Sequence, residues 1–229
     1  MRQTDVIILC GGLGTRLGRA AEGLPKPMAA INGKPFIDIL VDWAAGQGFS
    51  RFIFSCGFKA EIIRSYFKPR AGREYLFSQE QEPLGTGGAL KLASPSLKSE
   101  HALVLNGDSF CDVDMKALVA LAKKGIAAMA LAEAAGRVDG GFAALSSDGR
   151  ITSFAEKDPK GGPWINAGVL ALGPAVFAAL PVGPCSLEKD VLPALLGKGI
   201  YGLTAAAPLY DIGTPERLEA FRRLKKAKT

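Results

Sequence analysis

Short apolar, β-branched or aromatic runs alternate with amphipathic segments of helix length through the first half of the chain. Residues 6–9, 51–55, 74–78, 103–105 and 127–131 read as strands, and residues 35–46, 59–67 and 115–123 as helices. Pro35 suits the first turn of its helix, where a missing N–H costs nothing. This alternation predicts a Rossmann-like α/β fold, a mostly parallel sheet with helices on both faces. Ligands of such sheets bind beyond the carboxyl ends of the strands. The second half changes character. Residues 142–145 and 151–154 flank Ser146-Ser147-Asp148-Gly149 as a β-hairpin, residues 164–172 read as a strand, and residues 187–196 and 215–226 as helices. The hairpin region reads as a small β-rich substrate-binding subdomain folded onto the sheet. No linker-like stretch and no internal repeat interrupts the 229 residues, so one domain over 1–229 is expected.

Composition narrows the class. With 48% apolar residues the chain can bury a sizeable core, and its longest apolar runs are far too short for a membrane span. Charged Asp5 precedes the first apolar run, which turns directly into a glycine loop rather than a cleavage site, so no signal peptide is expected there. Cys10, Cys56, Cys111 and Cys185 are scattered without zinc spacing or disulfide density, as expected of reduced thiols in a cytoplasmic protein. The net charge of +6 is compatible with anionic substrates. It does not point to nucleic acid: Arg222, Arg223, Lys225, Lys226 and Lys228 crowd the end of the last helix, and no basic stripe with interleaved aromatics occurs.

The first strand ends in Leu9-Cys10-Gly11-Gly12-Leu13-Gly14-Thr15-Arg16-Leu17, followed by Pro25-Lys26-Pro27. Glycines let the backbone approach a ligand and turn consecutive N–H groups inward as an anion cradle. Arg16 and Lys26 add two cations, which suits a polyphosphate; a glycine-rich turn after an edge strand is the alternative. Two commoner phosphate loops fail. A dinucleotide fingerprint counted from Gly12 and Gly14 needs a third glycine where Leu17 stands, and a Walker A loop over residues 18–23 needs lysine where Leu24 follows.

Two aspartates could bring a divalent metal to such a loop. Asp108 ends the apolar strand Leu103-Val104-Leu105-Asn106-Gly107, and Asp211 precedes the turn Ile212-Gly213-Thr214-Pro215. Each alone reads as a turn or cap residue. The single histidine, His101, lies among Lys98, Ser99 and Glu100, so histidine-based acid–base chemistry is not expected. The segment Glu80-Gln81-Glu82-Pro83-Leu84-Gly85-Thr86-Gly87-Gly88 follows a predicted strand and opens a helix.

The G-G-x-G-T-R-L and P-K-P pair resembles the signature of the sugar-1-phosphate nucleotidylyltransferases, and the resemblance runs over essentially the whole chain. It implies transfer of a nucleoside monophosphate from a nucleoside triphosphate to a sugar 1-phosphate, with pyrophosphate released and Mg²⁺ held by Asp108 and Asp211. Arg16, Lys26 and Asp108 take the catalytic roles. Leu9, Gly11, Gly12, Gly14, Thr15, Glu80, Pro83, Gly85 and Thr86 join Arg16 and Lys26 in holding the nucleotide. Gly141, Glu156, Lys157 and Asn166 hold the sugar phosphate, with Lys157 on its phosphate. Residues 1–135 are then mainly nucleotide-binding and residues 136–229 mainly sugar-phosphate-binding.

The E-P-L-G-T form resembles the guanylyltransferases for D-glycero-D-manno-heptose 1-phosphate and for mannose 1-phosphate, with uridylyl, cytidylyl and thymidylyl transfer as alternatives. A carboxylate there can accept from the adjacent N–H groups of guanine. Which of Glu80, Gln81 and Glu82 does so stays open. Ser186-Leu187-Glu188-Lys189-Asp190 matches the heptose-type enzymes and reads locally as a capped helix start with a structural part. A non-catalytic nucleotide-sugar sensor is disfavoured by the joint presence of Arg16, Lys26, Asp108 and Asp211. A monomer or homodimer without nucleic-acid or membrane partners is expected.

Overall fold

The computed structural model describes residues 4–12, 23–156 and 162–226. Among them, nine strands form one sheet: β1 (Asp5–Cys10), β2 (Arg51–Cys56), β3 (Glu74–Gln79), β4 (Ala102–Asn106), β5 (Ala127–Glu133), β6 (Gly141–Leu145), β7 (Ile151–Glu156), β8 (Trp164–Leu172) and β9 (Ile200–Thr204). The helices are α1 (Phe36–Gly46), α2 (Ala60–Tyr66), α3 (Gly85–Ala93), α4 (Met115–Ala122), α5 (Pro174–Ala179) and α6 (Pro215–Lys226).

The strand order is β7-β6-β8-β4-β1-β2-β3, with β5 also paired to β8 and β9 paired to β5. Strands β4, β1, β2 and β3 run parallel, as the alternation of the first half requires. Strand β8 is antiparallel to β4, β5 and β6, so the whole sheet is mixed. The predicted hairpin forms from β6 and β7, and β6 pairs with β8. The β-rich second half therefore continues the sheet of the first half instead of sitting on it as a separate layer.

Burial on both faces explains the unbroken apolar run of β1. Val6 and Ile8 pack into one core with Phe36 and Leu40 of α1, Leu118 of α4 and Phe221 of α6. Ile7, on the other face, joins Leu90 of α3 and Val176 of α5. Helix α4 shows the local logic. Asp114 caps it by accepting from the N–H groups of Lys116 and Ala117 at 2.9 and 3.0 Å, and Met115, Leu118, Val119 and Ala122 form its buried stripe.

Three elements depart from the periodicity. The helix expected over 187–196 is a π-helical turn, Leu187–Val191, followed by a 3-10 turn, Pro193–Leu195. Pro193 has no N–H to continue an α ladder. Helix α5 and strand β9 were not legible: α5 is six residues long, and β9 carries Gly202, whose missing Cβ makes room for Leu131 and Leu145.

Candidate active site

A cleft of about 720 Å³ opens beyond the carboxyl ends of the parallel strands. Leu9, Gly11 and Gly12 line it from the end of β1 and the loop that follows, with Lys26 beside them. Glu80, Pro83, Gly85 and Thr86 form the wall leading into α3, and Gly141, Glu156 and Asn166 face it from β6, β7 and β8. Asp108 and Asp211 line it as well. The expected site residues Gly14, Thr15, Arg16 and Lys157 lie outside the described residues.

The glycines next to β1 have a steric cause. A Cβ on Gly11 would stand 2.5 Å from Glu80 Oε1, and one on Gly57 would stand 2.6 Å from the same oxygen. The Glu80 carboxylate thus occupies the space that two glycines leave free. Its backbone N–H donates to the Cys56 carbonyl at 2.9 Å, and its Oε2 accepts from the Leu84 N–H at 3.1 Å. Gln81 and Glu82 are exposed and do not line the cleft. Of the three polar residues left open by the sequence, Glu80 is the one at the site.

Gly107 sets Asp108. Its N–H donates to the Leu9 carbonyl at 2.9 Å, and a Cβ would stand 2.4 Å from that oxygen, so only glycine lets β4 and β1 approach here. Lys26 Nζ lies 2.5 Å from Asp108 Oδ2. The next residues, Ser109–Phe110, pair antiparallel with Tyr210–Asp211, and the Ile212 N–H donates to the Asp108 carbonyl at 2.9 Å. A ribbon of two residues per strand therefore brings together an aspartate from the middle of the chain and one from near its end.

Asp211 accepts from Arg137 Nη2 and from the Gly213 N–H at 2.8 Å, and Arg217 Nη1 lies 3.2 Å from its Oδ2. Burial pushes its carboxyl up, but the Arg137 hydrogen bond, the Gly213 N–H and the nearby guanidinium charges outweigh it and hold the group below the usual carboxylate range. Asp211 is an anion there.

The wall formed by β6, β7 and β8 carries local constraints too. Asn166 Oδ1 accepts from the Gly168 N–H at 2.9 Å, and Gly168 takes φ +74° at the irregular stretch of β8. That bond holds the Asn166 carboxamide at the cleft wall. A Cβ on Gly141 would strike the Phe154 ring at 2.5 Å. Lys189 Nζ pairs with Glu156 at 3.2 Å.

Four charged residues that line the cleft are absent from the expected site. Arg137, Asp139 and Arg217 line it in an ionic chain with Asp211, although no motif marks them. Glu188 was read as part of a structural helix start, yet it is 8% exposed, lines the cleft, and accepts from the hydroxyls of Thr86 at 2.5 Å and Ser186 at 3.2 Å. Its resemblance to the heptose-type segment was the available signal.

Among the described residues no three His, Cys, Asp or Glu side chains cluster to hold a metal. The pair Asp108 and Asp211 still suits a hard divalent cation, which one or two carboxylates can hold together with substrate phosphates and water. No described helix is long and apolar enough to cross a membrane.

A family model described as nucleotidyl transferase matches residues 5–225. The chain belongs to that family. Its nucleotidyltransferase identity extends to individual relatives. The D-glycero-alpha-D-manno-heptose 1-phosphate guanylyltransferase of Campylobacter jejuni is 37% identical over 93% of this chain and 96% of its own length. The enzyme of the same description from Aneurinibacillus thermoaerophilus is 36% identical over 93% and 94%. The crystal structure of HddC from Yersinia pseudotuberculosis complexed with GMP-PN superposes with a TM-score of 0.84 at 33% identity, covering 97% of this nucleotidyltransferase and 100% of that chain. The family generally uses a divalent metal, which agrees with the paired aspartates of the ribbon.

Proposed function

We propose that this nucleotidyltransferase moves GMP from GTP to D-glycero-D-manno-heptose 1-phosphate, giving the GDP-sugar and pyrophosphate. The observation that carries the base assignment is the Glu80 carboxylate in the cleft wall between Gly11 and Gly57. Guanine offers two adjacent N–H donors to a carboxylate, whereas uracil and thymine also need a donor for their carbonyl oxygens. Likeness to two heptose 1-phosphate guanylyltransferases along nearly their full length supports the acceptor.

A phosphate oxygen of the sugar 1-phosphate attacks the α-phosphorus, the new P–O bond forms, and the bond to the β-phosphate oxygen breaks. The nucleophile is already ionised and pyrophosphate is a stable leaving group, so no general base is required. The work is positioning and charge neutralisation. The glycine loop with Arg16 and Lys26 would hold the triphosphate and stabilise charge on the departing pyrophosphate. Asp108 and Asp211 would hold Mg²⁺, which supplies Lewis-acid neutralisation between the two phosphates. Glu156, Asn166 and Gly141 would seat the sugar, with Lys157 on its phosphate.

Pyrophosphate release tests this directly, with GTP, UTP, CTP, ATP and dTTP each offered heptose 1-phosphate and mannose 1-phosphate. GTP with the heptose should give the highest kcat/KM. A tenfold excess of UTP or CTP over GTP overturns the base, and a preference for mannose 1-phosphate overturns the acceptor. No release with any pair favours the sensor reading. A second measurement isolates Glu80. Glu80→Gln should cut kcat/KM for GTP by roughly 30- to 100-fold, about 2–3 kcal/mol for a purine edge left partly unpaired, and leave UTP less affected because the amide can also donate. An equal loss for both nucleotides would assign Glu80 to the loop's structure.

A further inference from the structure

Arg137 has hydrogen-bonding capacity that the described residues do not use. Its Nη2 donates to Asp211, while its Nε is buried without a hydrogen-bond partner. Asp139 Oδ1 lies 3.6 Å from that nitrogen, too far for a hydrogen bond. Arg217 differs. It grips Asp139 with Nη1 and Nη2 at 2.7 and 2.9 Å, so its fork is satisfied by a bidentate partner.

The place of Arg137 points to its ligand. It lies in the segment between β5 and Gly141, on the sugar side of the cleft. Its guanidinium reaches Asp211, which pairs through the ribbon with Ser109, the neighbour of Asp108. It therefore stands between the two carboxylates suited to a metal and the sugar-facing wall. That is where the phosphate of an acceptor must lie to attack a nucleotide's α-phosphorus. A phosphate monoester dianion offers a guanidinium two oxygens and twice the charge of one carboxylate.

We infer that Arg137 binds the phosphate of the acceptor sugar 1-phosphate and that Asp211 competes with that phosphate for its guanidinium. This rests on the acceptor class proposed above. The exchange couples the two halves of the cleft: Asp211, if it held a divalent cation, would release Arg137 and leave the guanidinium to the incoming phosphate. Lys157 is then not the sole cation for that group.

The competition makes two single substitutions act in opposite directions, without any metal present. In calorimetric titrations with heptose 1-phosphate and with mannose 1-phosphate, in chelator, Arg137→Gln should weaken binding by about tenfold or more. Asp211→Asn should tighten it several-fold, because the anion that restrains Arg137 is gone. The double variant should bind as weakly as Arg137→Gln, and Arg137→Lys should recover part of the affinity without the bidentate fork. GTP affinity should be the same in Arg137→Gln and the wild type. A purely structural ion pair predicts weaker binding in both single variants, and that result overturns the inference. So does unchanged sugar-phosphate affinity in Arg137→Gln while the wild type binds. If the wild type binds neither sugar phosphate, the acceptor class itself falls and takes this inference with it.

Discussion

Asp108→Asn is expected to lower kcat by about three orders of magnitude, roughly 4 kcal/mol of transition-state stabilisation, while the protein stays folded. The amide keeps the shape of the side chain and an acceptor for Lys26, now 2.5 Å from Asp108 Oδ2, but it carries no charge to hold a divalent cation. Little stability should be lost. Asp108 is held by its backbone carbonyl, which accepts from the Ile212 N–H, and by the glycine contact between Gly107 and Leu9; neither involves the carboxylate. Nucleotide affinity without metal should change less than turnover, because the lost interaction grows as charge moves onto pyrophosphate. Circular dichroism melts beside pyrophosphate-release kinetics check this. Near-normal turnover of a folded Asp108→Asn protein, or wild-type turnover persisting in chelator, would remove the metal role.

The second large effect lies at the other end of the sheet, and it concerns stability. Arg51→Leu should destabilise the fold by about 3–5 kcal/mol, on the order of 10 °C in Tm for a chain of this size. Arg51 and Asp5 open neighbouring strands, and their ion pair is buried at 2.7 Å, with the Asp5 side chain 1% exposed. Arg51 also donates to the Ser96 carbonyl at 2.9 Å and to Glu74 at 3.0 Å. Asp5 Oδ2 accepts from the N–H groups of Lys98 and Ser99. Removing the guanidinium leaves a buried carboxylate without its cation, which costs far more than an exposed pair would.

The same site gives a pH dependence with a definite sign. Burial pushes the Asp5 carboxyl up, but Arg51 and the Ser99 and Lys98 N–H groups outweigh it and hold its folded-state pKa below the unfolded value. A depressed folded pKa contributes stability that is fully present above the unfolded carboxyl pKa. That contribution is lost as pH falls through the folded one. Wild-type stability should therefore decline on acidification below about pH 4, and Asp5→Asn should flatten that part of the decline. A Tm of Arg51→Leu within a degree or two of wild type would show that the buried pair contributes nothing.

Much of this protein follows from local pattern. The run through residues 6–9 is apolar without alternation because β1 is covered on both faces, and that requirement is visible in the sequence itself. The same holds for Asp114 before an apolar stripe, and for the glycines after β1, whose freedom to approach a ligand is a property of the residue. Asp108, which alone reads as a turn residue, was legible through its place at the end of a buried strand taken together with the glycine loop and the resemblance. The cleft-lining residues Gly11, Gly12, Lys26 and Asp108 could be named from these features and the motif they form.

What the tertiary structure decided are pairings between residues with no local relation. Arg137 meets Asp211 across 74 residues, Arg217 meets Asp139 across 78, and Thr86 meets Glu188 across 102. A charged residue on an amphipathic helix or in a polar loop looks the same whether it faces solvent or a cleft, so Arg217 and Arg137 carried no signal. The choice of Glu80 over Gln81 and Glu82 turned on the gap between Gly11 and Gly57, which exists only once β1 and β2 lie side by side. The hairpin joined the central sheet because Trp164 and Ile165 of β8 pair with Ala143 and Phe142 of β6 while Val169–Leu172 pair with β4. Periodicity records which face of a residue is buried. It does not record what lies against that face, because the partner is brought there by the rest of the chain.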